Sequence, residues 1–372
     1  MPQALIIKKV DGKPGQVYYP LQIVEVPKPQ PGPNEVLVRI HTAALNHRDF
    51  FIRQHLYPGI SFTNPFLADG FGTVVEVGPN SNPQSSQLLG KKVVLTPSRG
   101  WLASPSGPED PSKFSVIGGT VLYTAGTGQD FLVVPADELE IAPDHLSPAE
   151  AAALPLVGLT AWRALVTKGF NGDVSASAVA GRNVLVTGIG GGVALCALQF
   201  ATALGCNVYV TSGSPSKLDR AKQLGAKGGV SYKEPGWEKL LAAQLPLSRP
   251  YLDLVVDGAG GDIVAKTVKL LKTGGVISIY GMTVGPKMDW LMQAVMKNVD
   301  LRGTTMGSRA EFRDMVEFVR KHQIRPVVSR VVKGLDNLKA VDDLFEDIRH
   351  GKQFGKLVIE ISSPDEESAS KL

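Results

Sequence analysis

The sequence predicts an α/β protein with a doubly wound parallel sheet and a second, β-rich domain. Three observations carry this reading. Residues 183–187 (Asn-Val-Leu-Val-Thr) form the apolar, β-branched run that a central parallel strand requires. A glycine turn, Gly188 to Gly192, follows at once and opens into a helical stretch that keeps Leu195, Ala197, Leu198, Phe200 and Ala201 apolar. From about Gly181 to Gly303, apolar strand runs then alternate with helical ones, the signature of βαβ units.

The turn is the most informative element. Gly188, Gly190, Gly191 and Gly192 let the backbone bend sharply and approach an anion, which the N-terminus of the following helix favours. Strict G-x-G-x-x-G spacing puts Val193 at the third glycine, which does not fit; Gly188-x-x-Gly191-x-x-Ala194 does, with Ala at the helix–strand contact. Residues 207–211 then supply a second strand and 216–224 a second helix; 252–257 and 275–280 add further strands. This is the form of a dinucleotide-binding unit.

The N-terminal part reads differently. Segments 4–10, 21–26, 35–44, 72–77 and 91–95 are short strand candidates separated by Pro and Gly, as in Pro27-Lys-Pro-Gln-Pro-Gly-Pro33. Residues 96–127 are rich in Gly, Ser, Pro and Thr around Trp101, Phe114 and Tyr123, and read as a long lobe. Trp101 and Phe114 either line an aromatic-friendly pocket or pack the lobe. Helices are expected over 147–154, where Pro148 and Glu150 suit a first turn, over 158–168 and over 309–322. After that come strand 327–332, helix 335–349 and strand 356–361. The resulting layout is a β-rich domain over 1–157 completed by 327–361, a dinucleotide-binding domain over 158–326, and a polar, flexible tail over 362–372.

Composition narrows the function. A hydrophobic content of 43% over 372 residues supports two domains with their own cores. A formal charge of +4, without a basic stripe interleaved with aromatics, argues against nucleic acid as a partner. No apolar run has the length of a membrane span, so no membrane partner is expected. Cys196 and Cys206, the only cysteines, read as structural thiols and exclude a Cys-rich zinc site.

Four ordered segments carry a resemblance over nearly the whole chain: Ala43-Ala-Leu-Asn-His-Arg-Asp49, Ala68-Asp-Gly-Phe-Gly-Thr-Val-Val-Glu-Val-Gly78, Ala151-Ala-Ala-Leu-Pro-Leu-Val-Gly-Leu-Thr-Ala-Trp162, and the glycine turn. With them the chain resembles the medium-chain dehydrogenase/reductases, specifically their zinc-independent, quinone-oxidoreductase-like branch. The resemblance implies a Rossmann domain plus a GroES-like catalytic domain. Zinc alcohol dehydrogenases of this superfamily carry Cys, His and Cys at positions matching Asn46, Ala68 and Leu156, none of which suits that site. His47 and His55 lack a third protein ligand and read as surface or loop residues, so no metal is expected. Without a Lewis acid to hold an alkoxide, alcohol oxidation is poorly supported. Hydride delivery to a quinone or an α,β-unsaturated carbonyl, a small-molecule substrate, is the expected reaction. Two alternatives stand beside it: an enoyl-thioester reductase on the same scaffold, and a cofactor-binding structural or regulatory protein with little turnover.

The resemblance also suggests roles for residues. Asn46 matches an Asn placed beside the nicotinamide, where its amide donates to a carbonyl or positions the ring. Asp49 and Tyr57 complete the catalytic set, Asp49 as an acid or a local anchor, Tyr57 as a substrate-facing phenol. NAD-dependent relatives end the second strand with an acid for the ribose 2′-OH. Here that strand ends in Ser212-Gly-Ser214, with Lys217 and Arg220 on the next helix, so the expected cofactor is NADPH. Thr160, Tyr232, Gly258, Tyr280 and Gly281 complete the expected cofactor contacts, together with the turn residues Gly188 to Val193. Lys356 matches a basic residue that approaches the pyrophosphate in relatives. A homodimer is expected through sheet edges near 276–282 and 301–306. The final Ser370-Lys371-Leu372 matches the tripeptide read by the peroxisomal import receptor, which places a eukaryotic source protein in the peroxisome, with the cytoplasm as alternative.

Overall fold

Six parallel strands form the sheet of the second structural unit, in the order Gly228–Ser231, Asn207–Ser212, Asn183–Val186, Leu252–Asp257, Leu271–Ile279, Asp300–Gly303. In chain order this is 3-2-1-4-5-6, the Rossmann arrangement, whose direction reverses beside Asn183–Val186. Val184, Leu185 and Val186 are fully buried, as helices on both faces of a parallel sheet require. One face packs Leu185, Tyr209, Val255 and Ile277 against Trp237, Leu241, Ile263 and Val268. Leu271–Ile279 pairs on both sides and is interior, so the edge expected near 276–282 is not available. The edge is Asp300–Gly303, with Leu301 41% exposed.

The computed structural model describes residues 1–363, and the expected tail from Pro364 and its terminal tripeptide lie outside them. The chain divides into one unit of residues 1–156 with the segment from Ser308 onward, and a second of residues 157–307. The first unit is built on a seven-stranded, GroES-like sheet. Its path runs Val328–Lys333, Lys356–Glu360, Glu35–Ala44, Asp69–Val77, Lys92–Leu95, Leu139–Ile141, and Phe131–Pro135 also pairs with Glu35–Ala44. Alternation buries Val36, Val38 and Ile40 against Val74, Val93, Leu95, Leu132 and Val134. Phe131–Pro135 and Leu139–Ile141 are strands that the sequence reading did not mark; both are short, and Pro135 ends the first.

The second boundary falls at 307/308 rather than 326/327, because the helix Arg309–His322 is bonded into the first unit. The Arg309 and Ala310 N–H groups donate to Trp101 O and Leu102 O, and the Arg309 guanidinium reaches Leu139 O and Glu140. Ser308 and Glu311 close a capping box at its start. The lobe over 96–127 holds a two-stranded pair, Ser98–Arg99 with Ser115–Val116. Trp101, 4% exposed, meets Phe114 edge-on at 5.6 Å, so these two rings pack the lobe. The expected helix over 158–168 starts earlier as Pro155–Trp162 and continues through Arg163–Thr167 as a π-helical turn. Both cysteines are buried thiols, and burial pushes the Cys206 thiol up to about 12. Among the described residues no helix is long and apolar enough to cross a membrane.

Arg53 ties the two sequence halves of the first unit together. It is 2% exposed; its guanidinium lies 4.1 Å from the Tyr18 ring centroid and 4.6 Å from that of Phe345. It donates to Tyr19 O at 2.8 Å and to Asp342 at 2.7 Å on the helix Leu338–Arg349. Arg53→Ala removes a desolvated cation–π contact and a charge-assisted hydrogen bond, an expected loss of roughly 3 kcal/mol. A lower urea midpoint for this unit, with Arg53→Lys intermediate, is the expected measurement; an unchanged midpoint would contradict it.

Candidate active site

Strand register assembles the buried polar group of the first unit. Lys356–Glu360 runs antiparallel to Glu35–Ala44 with Val358 opposite Ala44, and Asp69 faces Ala44 from the other side. Two residues further along the antiparallel ladder, Lys356 comes opposite Asn46, while Leu45 N–H donates to Leu357 O. Lys356 Nζ then donates to Leu45 O at 2.6 Å, Asn46 Oδ1 at 2.6 Å and Asp69 Oδ2 at 2.8 Å. Asn46 Nδ2 donates to Asp69 Oδ2 at 2.9 Å, and the Leu156 N–H donates to Asp69 Oδ1 at 2.8 Å. Asn46 and Lys356 are nearly buried and Asp69 is wholly so.

Lys356 was expected to approach a pyrophosphate. Its three ammonium protons are instead spent on acceptors within its own unit. Asp49, expected as an acid or a local anchor, has both carboxylate oxygens bonded locally. It is fully buried, with Oδ2 accepting from Asn46 N–H at 2.8 Å and Oδ1 from Arg48 at 2.9 Å. Burial raises its carboxyl above the usual carboxylate range, against the pull of Arg48. It anchors the first turn of the helix His47–Arg53. Tyr57 is half-buried, with the Arg48 guanidinium over its ring at 4.7 Å.

In the second unit, parallel strands bring their C-terminal ends to one edge of the sheet, and the expected cofactor residues collect there. Gly188 (φ 62°) and Gly190 (φ 129°) adopt backbone that only glycine takes readily, and Gly191 precedes the helix Gly192–Ala203. No side chain caps that helix, so its first N–H groups lack a side-chain acceptor, and a Cβ built on Gly188 or Gly191 would meet nothing within 4 Å. Gly188 N–H donates to Thr211 Oγ1 at 3.1 Å, fixing the turn to the next strand. Lys217 reaches back over the turn: a Cβ built on Gly190 would stand 2.9 Å from Lys217 Cδ and 3.2 Å from its Nζ. Burial and Arg220 hold this ammonium below its usual range.

Ser212 is buried and accepts from Ser214 N–H at 3.2 Å. Tyr232 is 52% exposed, and its hydroxyl lies over Gly213, 2.6 Å from where a Cβ would be. Lys233 lies over the same glycine, with Cε at 2.8 Å, a cation that the sequence reading passed over although it directly follows Tyr232. Gly258 packs under the Tyr280 ring, and Gly281 stands against the Gly258 carbonyl. Thr160 is buried and donates to Met306 Sδ at 3.7 Å. Asp257 ends the strand Leu252–Asp257 just before Gly258. It accepts from Thr187 Oγ1, and from Gly260 N–H at 2.7 Å, so it shapes the turn that carries Gly258. Burial raises its carboxyl above the ordinary range.

An uncapped helix N-terminus behind an open glycine turn, with a lysine folded over it, fits a dinucleotide phosphate. Zinc does not fit. The three positions that match zinc ligands hold an amide already bonded to Lys356 and Asp69, a fully buried Ala68, and Leu156. Among the described residues no three His, Cys, Asp or Glu side chains are grouped to hold a metal.

The comparisons agree with this architecture. Residues 32–144 match the alcohol dehydrogenase GroES-like domain, and 192–321 the zinc-binding dehydrogenase family. A zinc-type alcohol dehydrogenase-like protein of Leptosphaeria maculans is 60% identical over 364 residues, spanning 97% of this chain and 100% of that one. A similarly described protein of Schizosaccharomyces pombe is 34% identical over 91% of this chain and 93% of its own. The crystal structure of an NAD-dependent alcohol dehydrogenase superposes with a TM-score of 0.78 at 29% identity, covering 97% of this chain and 100% of that one. A crotonyl-CoA carboxylase/reductase in complex with NADP shares the fold, with a TM-score of 0.77 at 21% identity over 98% of this chain and 95% of that one. The chain belongs to the medium-chain dehydrogenase/reductase superfamily, and it is an oxidoreductase with a Rossmann domain of the nicotinamide-dinucleotide-binding type.

Proposed function

We propose that this protein is a zinc-independent, NADPH-dependent reductase of the quinone-oxidoreductase-like branch, acting on a conjugated carbonyl. The observation that carries the reading is Asn46: a buried amide with its orientation fixed stands where zinc-dependent relatives place a metal ligand. When bound, the nicotinamide supplies a hydride to the electrophilic carbon. Asn46 Nδ2 then donates to the carbonyl oxygen as negative charge gathers there. Tyr57 is the candidate proton donor. Gly188 to Val193 would hold the cofactor phosphates, and Ser212, Ser214, Lys217 and Tyr232, with Lys233, would hold the 2′-phosphate.

The acceptor has two versions with the same reacting atoms, an enone or quinone and an enoyl thioester. The crotonyl-CoA carboxylase/reductase neighbour, at 21% identity, carries the fold only, so both acceptors belong in the assay. NADPH consumption with a quinone panel, a cyclic enone and crotonyl-CoA tests the reading. Turnover with at least one acceptor is expected. NADPH binding without oxidation by any of them would replace this proposal with a binding protein of little turnover.

Lys217→Ala should weaken NADPH by roughly 10-fold, the size of one charge-assisted bond, and NADH far less. Equal losses would contradict the assignment of the 2′-phosphate. We further propose a homodimer through the edge strand Asp300–Gly303; the segment before it in sequence exposes Trp290, Met292, Val295 and Met296. Light scattering at micromolar concentration should give twice the chain mass; a monomer would remove the proposal. Import into peroxisomes is proposed on Ser370-Lys371-Leu372. An N-terminally tagged chain should be punctate with the tripeptide and diffuse without Leu372, and a diffuse signal from both would leave the cytoplasm.

A further inference from the structure

The Lys356 ammonium has no proton left for a phosphate or a substrate, yet it sits 2.6 Å behind the amide on which the proposed reaction depends. We propose that Lys356 is a positioning residue. With Asp69 it locks Asn46 in the one orientation that presents an N–H, rather than a carbonyl oxygen, to the reacting carbonyl. The inference rests on the reductase reading above.

The lock follows from charge. In the observed orientation Asn46 Oδ1 faces the ammonium and Nδ2 faces the Asp69 carboxylate at 2.9 Å. Rotating the amide by half a turn would set NH2 against NH3⁺ and oxygen against carboxylate. Both contacts would become repulsive in a buried site, where such contacts cost most. The amide has two N–H protons. One goes to Asp69, and among the described residues the bonds of this cluster leave the second for a ligand. The ammonium at the amide oxygen also polarises the group, making that N–H a better donor. Asp69 is held in turn by the Leu156 N–H at 2.8 Å, so the amide cannot relax by moving the carboxylate. A fixed cation thus acts on the substrate oxygen through an amide, at the place where the superfamily's zinc enzymes use a metal ligand.

The test separates this role from the phosphate contact that the resemblance implied. In the full chain, Lys356→Met should leave the NADPH dissociation constant within about twofold, while kcat for the best acceptor falls roughly 10²- to 10³-fold, the loss typical of one oxyanion donor. Asn46→Ala should lose a similar factor, and Asn46→Ala/Lys356→Met should be no worse than either single change, because both remove the same donor. If Lys356→Met does not fold, Asp69→Asn/Lys356→Met removes both charges together and should show the same kcat loss. A tenfold weaker NADPH affinity with kcat preserved would overturn the inference, as would multiplying losses in the Asn46/Lys356 pair. If the wild-type chain reduces no acceptor, the reductase reading fails by itself. The positioning role is then judged on selectively 15N-labelled asparagine: a distinct, slowly exchanging Asn46 amide signal that is lost in Asp69→Asn/Lys356→Met supports it, and an unchanged signal overturns it.

Discussion

The contact between Lys356 and Asp69 joins residues 287 positions apart, and the geometry of the first unit's polar group depends on it. Burying two opposite charges is unfavourable unless their remaining bonds are met. Here they are: the ammonium has three acceptors, and the carboxylate also takes the Leu156 N–H and the Asn46 amide. The strand register makes this possible. A slip of one residue between Lys356–Glu360 and Glu35–Ala44 would turn Lys356 to the other face and leave Asp69 charged and unpaired. The C-terminal strand therefore does more than complete a sheet. It delivers the cation that defines the site.

The second unit solves a different electrostatic problem with less machinery. Its helix Gly192–Ala203 has no side-chain cap and presents backbone N–H groups beside glycines that leave open space. On the proposed reading a dinucleotide phosphate would supply the missing acceptors, and the turn then needs no side chain of its own. Lys217, lying over Gly190, adds a full positive charge to the partial charge of the helix end. Thr211 and Asp257 hold the flanking turns in shape from below, and neither needs to touch a ligand to matter.

Elements whose signal is local were legible in the sequence. Glu35–Ala44 and Leu252–Asp257 have the bounds that their β-branched, apolar-rich pattern predicts, and the glycine turn is readable because few folds tolerate such backbone. What escaped was decided by distant partners. The helix Arg309–His322 is amphipathic in any context, and bonds such as those to Trp101, Leu102, Leu139 and Ile141 assign it to the first unit. Asp49 reads as a candidate acid until its closure by Arg48 and the Asn46 N–H is seen. Lys356 reads as a phosphate ligand until its three acceptors are found. Family resemblance located Asp49 and Lys356, but only side-chain geometry assigns what each does. Lys233 was the exception: Tyr232, its neighbour, had already marked the place.

On the proposed mechanism an internal ammonium and an amide do here what a metal centre does elsewhere in the superfamily. Its most direct test is NADPH-dependent turnover of the best acceptor before and after exhaustive dialysis against a strong chelator, with elemental analysis of the same samples. Full activity is expected in protein stripped of zinc, with no gain when zinc is returned. Activity that disappears with the metal and returns with one equivalent of zinc would contradict it.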